Sequence, residues 1–185
     1  MISTNLSEMT EHLDSAMQIL IICGSIRTGR KTSDVSEYLL DKLKQYSSIN
    51  TEYLDLKHTS IPFLEERLKY LKDPPESIVE FSKMVKKADA ILIVSPEYNG
   101  GFPGVLKNAL DFLVDEYKDK KAFIATVSAG RGGKSCYESL VTQLSRLGAD
   151  VSEKPLHIKN ITEAFNNHVD KETEGKIDEF INDIV

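Results

Sequence analysis

The segment Met17-Gln18-Ile19-Leu20-Ile21-Ile22-Cys23, closed by Gly24 and followed by Ser25-Ile26-Arg27-Thr28-Gly29-Arg30-Lys31-Thr32-Ser33, decides how the rest of the chain is read. A short apolar run of this kind suits a strand buried on both faces better than one with a solvent side. The pattern returns in Ala90-Ile91-Leu92-Ile93-Val94 and in Ala122-Phe123-Ile124-Ala125-Thr126-Val127, which predicts three central strands of one sheet. Between them lie stretches with helical spacing: Val35, Leu39, Leu40 and Leu43; Ile78, Val79, Met84 and Val85; Val105, Leu106, Leu110 and Leu113. Leu140, Leu144 and Leu147 predict a further helix, and Ile177, Phe180, Ile181 and Ile184 a last one. Thr51 to Leu56 alternates as a fourth, shorter strand, and Val151 to Ile158 supplies a fifth. Strand and helix therefore alternate, which predicts a doubly wound α/β sheet of parallel strands, with right-handed crossovers and helices on both faces.

With 185 residues, the chain is expected to form one domain over residues 17–185, preceded by an extension at 1–16. No repeat or linker divides it, and residues 59–77, with Pro62, Pro74 and Pro75, read as an irregular connection. The charged middle of that connection, Glu65 to Lys69, is expected to face solvent. The net charge of −6 argues against nucleic acid or an anionic membrane as partner, because both select for a surplus of Lys and Arg. Cys23 and Cys136 are far apart and outside any C-x-x-C spacing, so two buried thiols in a reducing compartment are expected. Residues Met1 to Ala16 carry neither a basic start nor a sustained apolar stretch, and no run reaches the length of a membrane span. The expected compartment is the cytoplasm.

In such sheets ligands bind beyond the carboxyl ends of the strands, where the strand order reverses. Three loops leave the central strands there. In the first, Gly24 to Ser33, glycines allow a tight turn, Ser25, Thr28, Thr32 and Ser33 offer hydroxyls, and a helix start offers free amides. Arg27, Arg30 and Lys31 add local positive charge to a net-acidic chain, a combination that predicts a phosphate cradle. A capped, solvated helix start that happens to be basic is the plainer alternative. The second loop, Ser95-Pro96-Glu97-Tyr98-Asn99-Gly100-Gly101-Phe102-Pro103-Gly104, combines Pro96, a turn-forming Asn99-Gly100 pair and a helix-starting Pro103. Its rigidity and its two aromatics suit a wall along a flat heteroaromatic ring. The third, Ser128-Ala129-Gly130-Arg131-Gly132-Gly133, permits close approach of backbone to ligand and leads into a helix start that favours negative charge. Those properties suit an electron-rich ring that becomes anionic on reduction; a flexible connector is the alternative.

A P-loop nucleotide enzyme is the competing reading. Gly24 to Thr32 misses the G-x-x-x-x-G-K-[ST] spacing by the inserted Arg30, and Ser128 to Ser135 has Ser where the first Gly belongs. His12, His58, His157 and His168 are dispersed in sequence and predict neither a metal cluster nor a catalytic triad.

Gly24-Ser25-Ile26-Arg27, Pro96-Glu97-Tyr98-Asn99 with Pro103-Gly104-Val105-Leu106-Lys107-Asn108-Ala109-Leu110-Asp111, and Ser128-Ala129-Gly130-Arg131-Gly132-Gly133 together resemble the NADPH-dependent FMN reductases. These are flavodoxin-like proteins that include quinone, azo and chromate reductases. The resemblance, running from about Gln18 to about Leu147, implies a five-stranded parallel sheet of order 2-1-3-4-5. It implies that Ser25, Arg27, Thr32 and Ser33 hold the FMN phosphate, with Arg30 standing where many relatives have a small hydroxyl residue. Pro96, Glu97, Tyr98, Asn99 and Gly100 would border the ring, and Ser128, Ala129, Gly130 and Gly133 would contact its pyrimidine side. The implied activity is hydride transfer from NADPH or NADH to FMN, then electron transfer to a small acceptor in the same cleft by ping-pong kinetics. The acceptor would be a quinone, an azo compound, a metal oxyanion or free flavin. No side chain need act as acid or base, since the cofactor carries the chemistry. Relatives form homodimers or homotetramers, which points to the helix at Val105 to Val114 as the contact. An electron carrier or partner-binding flavoprotein without NAD(P)H turnover remains the other reading, against which Arg27 and Arg30 weigh.

Overall fold

The computed structural model describes residues 16–130, 132–166 and 168–185. All but the last residue of the expected extension at 1–16 lies outside them. The apolar runs build the middle of a parallel sheet in which β1 (Met17–Cys23), β2 (Ile49–Asp55), β3 (Ala90–Pro96) and β4 (Lys121–Val127) are ordered β2-β1-β3-β4. Successive residues of β1 serve opposite layers. Leu20 and Ile22 join the core covered by α2 (Glu76–Lys87), α3 (Gly104–Asp111) and α4 (Lys134–Arg146). Ile19 and Ile21 join the core covered by α1 (Thr32–Leu43) and α6 (Lys171–Ile184). Burial on both faces is why the strand sequence shows no alternation. The order 2-1-3-4-5 expected of the sheet holds, with β1 and β3 at its reversal point.

The fifth strand differs from expectation. In place of one strand over Val151 to Ile158 there are two pieces, β5 (Asp150–Val151) and β6 (Leu156–Ile158), both parallel to β4. Between Val151 and Leu156 stand four residues where β4 has only Phe123 and Ile124, so the edge bulges outward. Ser152 still donates its amide to Ala122 O at 2.9 Å, but Pro155 has no N–H to give to a ladder. The short elements α5 (Ile161–Ala164), β7 (Phe165–Asn166) and β8 (His168–Val169) then lead into α6, and none is long enough to show a periodicity.

Helix α3 ends at Asp111, short of the expected Val114. Phe112 and Leu113 donate to Ala109 O and Leu110 O, three residues back, and these bonds tighten and end the helix. Asn108 of α3 holds the 59–77 connection with both ends of its amide. Oδ1 accepts from Leu64 N at 2.9 Å, and Nδ2 donates to Pro62 O at 2.6 Å. Phe63, bracketed by those bonds, is 92% exposed, while Glu65, Glu66, Arg67 and Lys69 face solvent as expected. Among the described residues no helix is long and apolar enough to cross a membrane.

Candidate active site at the ends of β1, β3 and β4

The three loops meet at the carboxyl edge of the sheet, where they border one open cleft. Arg27, Gly29, Arg30, Lys31 and Thr32 come from the first loop, Pro96, Glu97 and Tyr98 from the second, and Val127, Ser128 and Ala129 from β4 and the third. Ile161 and Thr162 of α5 complete the lining; neither is legible in the sequence, because four helical residues carry no pattern. Ser25, Ser33, Asn99, Gly100, Gly130 and Gly133 are expected ligand contacts that do not line this cleft.

The first loop turns away from β1 at Gly24, whose amide donates to Val94 O at 2.8 Å. A Cβ there would lie 2.7 Å from Leu106 Cδ2, so the packing of α3 on the loop demands glycine. Ser25 is fully buried, and its Oγ lies 3.0 Å from Tyr98 Oη. Helix α1 has Lys31 at its N-cap and no capping side chain, which leaves its first-turn amides to be satisfied by solvent or ligand. Ser33 does not supply that cap, because its Oγ donates at 3.4 Å to Arg30 O and to Asp34 Oδ1. Arg27 is exposed and, among the described residues, has no carboxylate within ion-pair distance. Arg30 is different. Its guanidinium donates to both carboxylate oxygens of Asp55 and to Ser25 O, and the two charged side chains are 8% and 10% exposed. Burial alone would lower the Arg30 pKa, but the carboxylate outweighs it and the net shift is upward. Asp55 was missed in the sequence, although a lone carboxylate between Leu54 and Leu56 at a strand end is itself a request for a cation.

The second loop closes on itself. Tyr98 N donates to Gly101 O at 2.8 Å and Gly101 N to Tyr98 O at 3.1 Å, around Asn99 and Gly100 with φ of 51° and 83°. Two positive φ values in a two-residue turn make a type I′ hairpin, the geometry that Asn-Gly favours. Beneath it, Cys136 Sγ lies 3.5 Å from Ser95 Oγ and from Pro96 O. Burial pushes that thiol up to about 11, and Cys23 is raised by burial as well, so neither is poised as a nucleophile.

The third loop is anchored from below. Thr126 Oγ1 donates to Gly132 O at 2.6 Å and lies 2.6 Å from His157 Nδ1. Gly133 has φ of 76°, and a Cβ there would lie 2.8 Å from Thr126 Cβ, so this glycine answers to the protein's own packing. Gly130, by contrast, has open space where a Cβ would stand. Ser128 Oγ accepts from Gly130 N at 2.9 Å and shapes the turn. His157, 25 residues beyond Gly132 in sequence, thus packs against this loop.

The sequence pattern of the NADPH-dependent FMN reductases matches residues 17–163. The chain belongs to this family. It is 28% identical over 148 residues to the NAD(P)H-dependent FMN reductase of Saccharomyces cerevisiae, covering 73% of this chain and 77% of that protein. It is 33% identical over 153 residues to the NAD(P)H:quinone oxidoreductase of Solanum tuberosum, covering 79% and 73%. In fold it is similar to the flavoenzyme NAD(P)H:(acceptor) oxidoreductase FerB of Paracoccus denitrificans, with a TM-score of 0.74, 24% identity, and coverage of 90% and 96%. As a family member the chain is an oxidoreductase that uses FMN with NAD(P)H as electron donor. The donor set fits that flavin. Arg27, without a carboxylate partner among the described residues, and uncapped helix amides suit a phosphate, and the cleft wall of Pro96, Tyr98 and Ala129 suits a flat ring.

Proposed function

We propose that this cleft holds FMN with its phosphate toward Arg27, Ser25, Thr32 and the start of α1, and its ring between residues 96–100 and 128–130. The observation that carries the reading is the convergence of a cation unpaired among the described residues, uncapped amides and an aromatic hairpin at the sheet's reversal point. Bound FMN supplies hydride acceptance and onward electron transfer. The protein's part is to hold and to shield. Arg27 and the helix amides oppose the phosphate charge. Tyr98 and Pro96 wall the ring, and Val127 and Ile161 keep water from the cleft floor.

The electron acceptor is read as a small flat molecule, a quinone or an azo compound. The cleft, about 280 Å³, lies just below the roughly 300–1,000 Å³ usual for small-molecule sites. FMN itself fills a cleft of that size, so donor and acceptor take turns at the flavin, which is ping-pong kinetics. Initial rates with NADPH and a benzoquinone should give parallel double-reciprocal lines; intersecting lines overturn this. The purified protein should be yellow and bleach on adding NADPH under argon. A flavin that stays oxidised would instead favour an electron carrier.

A homodimer or homotetramer through α3 and the connection pinned to it is part of the same reading. Phe63 and Tyr70, 92% and 63% exposed, lie on that connection and are supported by α3 through Asn108. Light scattering on Phe63→Ser measures this, with dissociation to monomers the expected result. The cytoplasm is the compartment that suits a thiol-containing, acidic reductase of this type.

A further inference from the structure

The geometry points to Arg30 and Asp55 as positioning residues: by closing the turn between Ser25 and Arg30, they set the shape of the phosphate cradle without contacting the phosphate. This rests on the FMN reading above and adds to it the device that makes the cradle rigid.

The β1–β2 register pairs Cys23 with Asp55, so the carboxylate stands beside the point where the first loop leaves the sheet. Arg30, at the loop's other end, reaches back to it. Nη1 donates to Asp55 Oδ1 at 2.7 Å and also to Ser25 O, while Nη2 donates to Oδ2. Three of the five guanidinium N–H groups are thereby committed. Asp55 Oδ1 is fixed in turn by Lys57 N at 2.9 Å. The side chain of Arg30 therefore spans its own loop and ties both of its ends to β2. Although Arg30 borders the cleft, its charge is already matched by a buried carboxylate, and it offers a dianion little that Arg27 does not. A planar fork bound at both carboxylate oxygens is a geometry lysine cannot reproduce.

The two roles open to Arg30 predict opposite signs for one substitution. Asp55→Asn releases the arginine: a direct phosphate ligand would then bind FMN more tightly, whereas a positioning residue would lose its anchor. Flavin-free full-length protein is titrated with FMN and with riboflavin by fluorescence quenching, and amide hydrogen exchange is followed over residues 24–33. The expected result for Asp55→Asn is FMN affinity weakened roughly tenfold or more, the scale on which a charged hydrogen bond is felt. Exchange at 25–31 should rise, and riboflavin affinity should fall less than FMN affinity. Unchanged or tighter FMN binding overturns the proposal. Arg30→Lys keeps the charge and removes the fork, and serves if Asp55→Asn does not fold. Loss of FMN affinity in that variant supports positioning, and wild-type affinity overturns it. Wild-type protein that fails to take up FMN refutes the flavin reading itself, an outcome visible before any variant is made.

Discussion

Tyr98 Oη and Ser25 Oγ, 73 residues apart in sequence, lie 3.0 Å apart and join the hairpin that follows β3 to the turn that follows β1. The side chain expected to border the ring is thus bonded to a side chain expected to hold the phosphate. The two halves of the cleft are mechanically one.

That contact makes Tyr98→Phe informative. Removing the hydroxyl leaves the buried Ser25 Oγ without this partner and should cost about 0.5–1.5 kcal/mol in urea denaturation. A double-mutant cycle with Ser25→Ala should return a coupling of the same size; a coupling near zero would mean that the two loops move independently.

Arg27→Ala should leave the flavin-free protein as stable as wild type, since Arg27 is exposed and has no carboxylate partner among the described residues. It should remove about 1.5–3 kcal/mol of FMN binding while riboflavin binding is unchanged. An equal loss for both flavins would move the phosphate elsewhere.

The glycines of the third loop should separate by role. Gly133→Ala places a Cβ against Thr126 at a φ of 76° and should destabilise the fold by roughly 1–3 kcal/mol. Gly130→Ala meets open space, so its melting temperature should hold while FMN affinity falls. Both are read by thermal melts with and without flavin.

Stability should fall in mild acid through His157. Burial, with Lys159 and Lys134 nearby, holds its pKa below the ordinary 6.5, despite the opposing pull of its hydrogen bond with Gly132. The unfolded chain therefore takes up the proton at a pH where the folded one does not. Stability contributed by neutral His157 is complete above about 6.5 and is lost as pH drops toward the lowered folded value. Melts from about pH 7.5 to about 5 should show a flatter curve for His157→Gln.

Tyr117 offers a gain. Its hydroxyl is fully buried and finds no hydrogen-bond partner among the described residues. Tyr117→Phe removes an unsatisfied group whose burial costs about 1–3 kcal/mol, and should raise the urea midpoint.

The central strands were legible because Ile19 to Cys23 and Ile91 to Val94 are apolar on both faces, a demand that only a covered parallel sheet meets. The hairpin at Asn99-Gly100 was legible because positive φ is written into those residue types. What the sequence hid were partnerships over distance. Arg30 reads as free charge until β2 brings Asp55 beside it, and His157 reads as an isolated side chain until β6 lays it under Gly132. The broken fifth strand was hidden for the same reason, since Pro155 announces an interruption but not the register on either side of it.

The irregular border between Val151 and Leu156 bears on how copies of this chain can associate. Its backbone groups are out of step with any straight strand that might be laid alongside, and Lys154, held to Asp183 at 2.6 Å, adds a charge to the rim. Growth of the sheet from one molecule into the next is blocked on that side. On that side, quaternary contacts must be made by side chains on helices and loops, which can be altered without unpicking the fold.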